Sequence, residues 1–205
     1  MALRNRVTPF GEIVAVPGRG LMTGNRGVLH DAQQRIVRDC QVRRWIACQL
    51  EFRGRHRELM QPGRWTELFF VDEAAALAAG HRPCAECRHA DYVRFRNAWQ
   101  RAFPDADGWS VDAVDRQLHH DRRLGPWRKR TFSSQISELP AGSVIALDNQ
   151  AWLVEPESLL EWSPGGYLQR RPRPLDGDVT VLTPRSLVAV LRAGYEPMLH
   201  PTARL

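Results

Sequence analysis

Lysine is almost missing from this chain. Of its 29 basic residues only Lys129 is a lysine, so arginine carries the net charge of +6 against 23 acidic residues. Such a bias follows from a GC-rich coding sequence as readily as from an anionic partner, of which nucleic acid is the foremost kind. Long apolar runs are missing too. Nothing approaches the roughly 20 apolar residues of a membrane span, which argues against a membrane protein. Residues 1–16 carry Arg4, Arg6 and Glu12 and no apolar stretch of the kind a secretory leader needs. We therefore expect a cytoplasmic location and no membrane partner. There is no internal repeat, no glycine-rich phosphate loop and no nucleophile elbow. Cysteine is scarce, with four in 205 residues. In a reducing compartment, cysteines at ligand spacing favour a metal over a disulfide.

What is present reads as α+β, with a β-rich N-terminal part, a helical middle and a β-rich C-terminal part. Glu12–Val16, Gln34–Val37, Val42–Phe52 and Trp65–Val71 read as strands among turns such as Pro17-Gly18 and Gln61-Pro62-Gly63. In Val42–Phe52, the residues Val42, Ile46, Cys48, Leu50 and Phe52 share one apolar face by period two. Asp72 is placed to cap an alanine-rich helix that Gly80 ends. Tyr92, Phe95, Trp99 and Phe103 form the apolar stripe of a second helix, stopped by Pro104, and Ser110 caps a third with Val111, Val114 and Leu118 buried. Beyond Ser137, Val144–Leu147 and Ala151–Val154 flank Asp148-Asn149-Gln150 as a hairpin. Val179–Leu182 leads to a terminal helix over Ser186–Ala193, and Pro164-Gly165-Gly166 and Arg171-Pro172-Arg173-Pro174 read as loops. A division into residues 1–130 and 131–205 is suggested, with a core shared between them.

The chemistry gathers at Gly80-His81-Arg82-Pro83-Cys84-Ala85-Glu86-Cys87. Two thiolates separated by two residues at a bend can reach one tetrahedral ion, each about 2.3 Å from zinc. A helix expected to begin at Cys87 would favour the thiolate form through its dipole. No cysteine follows Cys87, so the remaining ligands must come from upstream, where Cys40, Cys48 and His56 are the candidates. A set of Cys48, His56, Cys84 and Cys87 would close a structural zinc site. Reading Cys84 and Cys87 as a thioredoxin-like redox pair would require a preceding strand in a βαβ unit, where a helix is expected instead.

The 20 residues from Leu68 to Cys87, with a strand ending in aromatics, an alanine-rich helix and then Gly-x-Arg-Pro-Cys-x2-Cys, resemble the zinc module of Ada-type DNA repair proteins. A weaker likeness extends over residues 45–88. The resemblance implies a zinc fold in a DNA-repair context. In that family an upstream Cys-x3-Cys supplies two more thiolates, one of which accepts a methyl group from a DNA phosphotriester. Phe52 and His56 stand at those places here. A second pattern, His56-Arg57-Glu58 followed by Pro83-Cys84-Ala85-Glu86-Cys87, is similar to the zinc deaminase signature, in which Glu58 would shuttle a proton at a metal-bound water. Gln61-Pro62-Gly63 cuts short the helix that signature requires.

On the third helix, Asp115 and His119 are i, i+4 neighbours. A carboxylate there would raise the imidazole pKa and orient it, making His119 the candidate general base. The turn Asn25-Arg26-Gly27, followed by His30-Asp31, gathers polar groups able to bind an anion. Arg53, Arg55 and Arg57, with Arg122, Arg123, Arg128, Lys129 and Arg130, would form a phosphate-contacting surface on which Trp127 and Trp109 could stack bases. These features point to a zinc-binding protein that recognises nucleic acid, DNA ahead of RNA, with repair or modification as its activity. A zinc-dependent hydrolase or deaminase acting on a nucleobase or nucleotide is the enzymatic alternative. A zinc-stabilised interaction domain without catalysis is the third reading.

Overall fold

The alanine-rich segment after Asp72 sets the architecture. In the computed structural model, which describes residues 2–18, 20–54, 58–104 and 109–204, it forms helix α1, Glu73–Ala78. As expected, the Asp72 carboxylate caps it, accepting from the Ala75 N–H at 2.9 Å. Every residue of α1 is buried. Small side chains let neighbours approach its whole circumference, and three cores meet there. Ala76 and Ala79 join the core of an N-terminal sheet, Ala74 and Ala78 that of a C-terminal sheet, and Leu77 a helical core.

The N-terminal sheet is built from β1 (Arg6–Val7), β2 (Ile13–Val14), β3 (Met22–Asn25), β4 (Ile46–Gln49), β5 (Leu68–Phe70) and β6 (Arg82–Pro83), in the order β2-β1-β5-β3-β4-β6. The pairs β1–β5 and β4–β6 are parallel and the rest antiparallel. All four strand expectations in this part shrink, Glu12–Val16 to β2 and Trp65–Val71 to β5. From Gln34–Val37 there remains a single bridge between Ile36 and His30, and from Val42–Phe52 only the four residues of β4. The apolar face read from that segment is also not the core face. Trp45 and Ala47 are buried, while Ile46 and Cys48 are half-buried on the opposite side. Period two located the two faces correctly, but a small alanine and a tryptophan, not the larger apolar set, fill the core.

The middle of the chain is helical. Helix α2 spans His89–Ala102, buries Phe95 and Trp99, and ends before Pro104. It starts two residues beyond Cys87, after a turn closed by the Arg88 N–H on the Cys84 carbonyl, so the expected dipole at Cys87 is displaced to Arg88. Helix α3 spans Val111–Arg122 and is capped by Ser110, whose Oγ accepts from the Ala113 N–H. Val114 and Leu118 pack inward with α4, Arg185–Arg192. A short ribbon, β7 (Arg123–Gly125) with β8 (Arg128–Lys129), follows α3.

Residues 132–181 form an antiparallel sheet of β9 (Phe132–Gln135), β10 (Val144–Leu147), β11 (Gln150–Val154), β12 (Ser158–Ser163), β13 (Gly166–Pro172) and β14 (Asp178–Val181), in the order β13-β12-β11-β10-β14-β9. The expected hairpin turns on Asp148 and Asn149, both at positive φ, as a two-residue primed turn requires. The stretch read as loops around Gly166 and Arg171-Pro172 is instead β13. Pro172 is tolerated there because β13 is an edge strand. The C-terminal part of the chain is tied to α1 by buried polar contacts as well as by packing. Tyr167 Oη donates to the Asp72 carboxylate at 2.8 Å, and Tyr195 Oη donates to Glu73 at 2.6 Å. Glu73 also pairs with Arg88 at 2.8 Å. Among the described residues, no helix is long and apolar enough to cross a membrane.

Candidate metal centre and the cavity behind it

Parallel pairing of β4 with β6 brings the distant thiols together. Ile46 pairs with Arg82 and Ala47 with Pro83, and the Cys84 N–H donates to the Ala47 carbonyl at 3.0 Å. Cys84 therefore lies beside Cys48, and the turn after it returns Cys87 to the same place. The three sulfurs lie within 4.8 Å of one another. A tetrahedral ion with sulfurs about 2.3 Å away needs them roughly 3.8 Å apart, so a small contraction would close the set. The Gln49 N–H donates to Cys87 Sγ at 3.4 Å, a contact that favours a thiolate. Cys84 is held below the usual thiol pKa because Cys48 and then Cys87 hydrogen-bond to it, while its bonds to Cys84 and then Cys87 push Cys48 up. This trio could hold a metal ion. Cys48, not Cys40, joins the expected pair. His56, Arg55 and Arg57 lie outside the described residues.

A pocket of about 380 Å³ opens against the thiols. Residues paired across a sheet share a face, and Thr23 pairs with both Cys48 and Phe69. The row Phe69–Thr23–Cys48 thus crosses β5, β3 and β4 as one wall, with Asn25, Phe52 and Trp65 also lining the pocket. Glu67 and Glu86 lie on its walls, and Glu67 accepts from the Met60 N–H at 2.8 Å. Glu58 is exposed and is not part of the wall, so the carboxylate named by the deaminase-like pattern is not the one at the pocket.

The other face of the same sheet carries a second cavity, of about 420 Å³. Arg26, one residue past Asn25, and Trp45, one before Ile46, both line it. Arg26 and Arg122 are 1% and 2% exposed. Both lie over the Trp45 indole, with Cζ at 4.1 and 3.9 Å from its centroid. Arg122 donates to the Gly80 carbonyl at 2.8 Å and to the Arg43 carbonyl. Gly80 is needed twice here. Its φ is +88°, and a Cβ would lie 2.5 Å from the Arg122 side chain. Lys129 donates to the Ala78 carbonyl, and Arg123 pairs with Asp39 at 2.9 Å.

These positions correct two expectations. Arg122, Arg123 and Lys129 do not form a surface with Arg128 and Arg130. Arg122 is buried, Lys129 is half-buried, and Arg130 bonds the His120 carbonyl, while Arg128 and Trp127 remain exposed. Arg53 lies elsewhere, over Phe52 beside the thiol pocket. Nor does Asp115 orient His119. Asp115 is buried and forked by Arg82, with two contacts of 2.8 Å, while His119 stands edge-on to Trp45 with Arg122 and Arg123 at its two ring nitrogens. Burial and then those guanidinium groups lower its pKa to about 4, the reverse of the expected shift and too low for a base near neutral pH. Trp109 packs edge-on against Tyr92 and is not an open stacking platform.

Sequence reasoning missed Trp45, His81 and the Arg82–Asp115 pair. His81 is fully buried between Trp45 and Phe70 and accepts from Arg26 Nε at 3.3 Å. The one available signal was the polar turn at Asn25-Arg26-Gly27. It does hold a residue of each cavity, although His30 beside it is spent on Thr66 and Gln61. No family model, curated protein or solved structure matches this chain.

Proposed function

We propose that the chain is a zinc-thiolate protein that recognises nucleic acid at the pocket beside its metal centre, in the manner the Ada-type resemblance implies. The observation that carries this reading is the meeting of Cys48, Cys84 and Cys87 from two distant segments on the wall of a 380 Å³ pocket. A thiolate-rich donor set suits zinc among the common divalent ions. His56, eight residues after Cys48, is the fourth ligand in this reading. Zinc would lock β4 to the turn before α2 and so fix the pocket wall. Phe52, Trp65 and Phe69 give the pocket an aromatic lining of the kind that contacts unpaired bases, and the exposed Arg53 stands beside it.

The test joins two measurements on the full chain. Elemental analysis should find one zinc per chain, and cadmium exchange should give a thiolate charge-transfer band. Fluorescence anisotropy with single-stranded DNA should give binding that weakens with salt and falls with Trp65→Ala. A reduced, stable, metal-free protein would remove the metal from this reading. No binding to any DNA or RNA at low salt would remove nucleic acid from it.

A second reading, a zinc-dependent hydrolase or deaminase acting on a nucleobase, is favoured by Glu67 and Glu86 on the same walls as the thiols. A carboxylate beside an ion with one open position can move a proton to and from its bound water. Turnover of nucleosides that disappears in Glu67→Gln, with zinc retained, would put this reading first.

A further inference from the structure

Among the described residues, the cavity behind the sheet is lined by more positive than negative side chains. Arg26, Arg122, Arg123 and Lys129 border it. Facing them are Asp39, already used by Arg123, and Glu12, exposed at the rim. The nearby Asp115 is taken by Arg82. Several donors are also idle. Arg26 Nη2, Arg122 Nε and Arg123 Nε are buried and have no hydrogen-bond partner. Each of these guanidinium groups has other partners, but a buried N–H without an acceptor is costly, and an acceptor oxygen bound nearby would relieve it.

We infer that this cavity is a binding site for a small phosphorylated molecule, whose phosphate sits among Arg26, Arg122 and Lys129. A dianion matches the excess of cations, and guanidinium forks suit phosphate oxygens. The volume, about 420 Å³, is that of a small-molecule site. Because Arg26 and Arg122 are buried, they are closed to the flank of a duplex. Trp127 is 55% exposed and lines the same cavity, its backbone N–H held by Asp39 at 3.0 Å. It can cover a planar group attached to the phosphate. The electrostatics favour an anion at this place. Burial, and then the mutual repulsion of the cations, lowers Lys129 to about 7, and burial lowers Arg26 to about 9. This inference does not rest on the metal reading, since the thiols lie on the opposite face of the sheet.

The experiment is thermal unfolding of the zinc-loaded chain at constant ionic strength. Chloride is replaced in turn by inorganic phosphate, adenosine monophosphate, and trinucleotides with and without a 5′-phosphate. The expected result is a Tm rise of at least about 3 °C with one or more of the phosphate monoesters or with phosphate itself. A rise with the trinucleotide lacking a 5′-phosphate would belong to the thiol pocket and should be unchanged in Lys129→Met. Lys129→Met should reduce the rise with phosphate or its monoesters by half or more with zinc content unchanged, whereas Arg35→Ala, at an exposed pair, should leave it intact. Trp127→Ala should weaken adenosine monophosphate more than inorganic phosphate. If the 5′-phosphorylated trinucleotide gives the largest rise, the phosphate comes from a nucleic-acid end; if the monophosphate or phosphate does, the ligand is free. Should Lys129→Met fail to fold, isothermal titration of the parent chain with phosphate decides. No rise with phosphate or any of its monoesters, an equal rise with them in Lys129→Met, or no heat of binding in the parent overturns the inference.

Discussion

The two faces of the N-terminal sheet are chemical opposites. On one, Thr23, Cys48 and Phe69 form the wall of a pocket that ends in three thiols. On the other, one residue along the same strands, Arg26 and Trp45 border a cavity of buried cations. The first face gathers thiols that could hold a metal ion. The second gathers groups that are already positive, and an anion completes it. The contrast is set by the alternation of side chains along a strand. Asn25 and Arg26, or Trp45 and Ile46, are neighbours in the chain yet belong to different sites.

The comparison breaks most violently at the thiols. Cys84→Ser should abolish metal binding and lower the unfolding midpoint by more than about 10 °C, because structural zinc contributes its binding energy to folding. Metal analysis and circular dichroism melts check this. The phosphate response of any variant that still folds should survive, since the cation cavity does not use the metal. A loss of both together would mean that the two faces are one site.

A middle-sized effect is expected at the strut between them. The Arg82–Asp115 pair joins β6, which carries Cys84 at its end, to α3, which carries Arg122. The side chains are 3% and 6% exposed. Asp115→Ala leaves a guanidinium buried and unpaired, which costs about 3–5 kcal/mol. Urea unfolding should record that loss. A change below about 1 kcal/mol would show that water reaches Arg82 and that the pair is not a strut.

The smallest effect sharpens the contrast through pH. Lys129 is lowered from 10.5 to about 7 by burial and by Arg26 and Arg122. The unfolded chain then holds this proton more tightly than the folded one. Stability should therefore rise with pH between about 7 and 10.5. The expected gain from pH 7 to 9, without phosphate, is up to about 2 kcal/mol, or several degrees in Tm, absent in Lys129→Met. Saturating phosphate should flatten the slope in the parent chain by keeping the ammonium charged.

Much of the fold was legible because its signals are local. Asp72 and Ser110 cap the helices they were expected to cap, Asp148-Asn149 makes the turn its residues favour, and Cys84 with Cys87 declares ligand spacing. The failures share one cause. Arg122, Arg123 and Lys129 look like surface charge in the chain, because nothing local tells an arginine turned inward from one turned out. Asp115 and His119 have the spacing of a pair, yet Arg82, 33 residues away in sequence, takes the carboxylate. The apolar set on β4 marked a real face, but which face meets the core depends on what packs against it.

The sequence by itself determined the α+β character, the helix caps, the primed turn and the two-residue spacing of Cys84 and Cys87, since each rests on residues within a few positions of one another. The tertiary structure alone decided that Cys48 joins them, because parallel pairing of β4 with β6 sets that distance. It also decided that the arginines of the helix end and ribbon look inward. Gly80, having no side chain, leaves the space into which Arg122 folds, and only the packed chain brings Arg26, Trp45 and Lys129 around it.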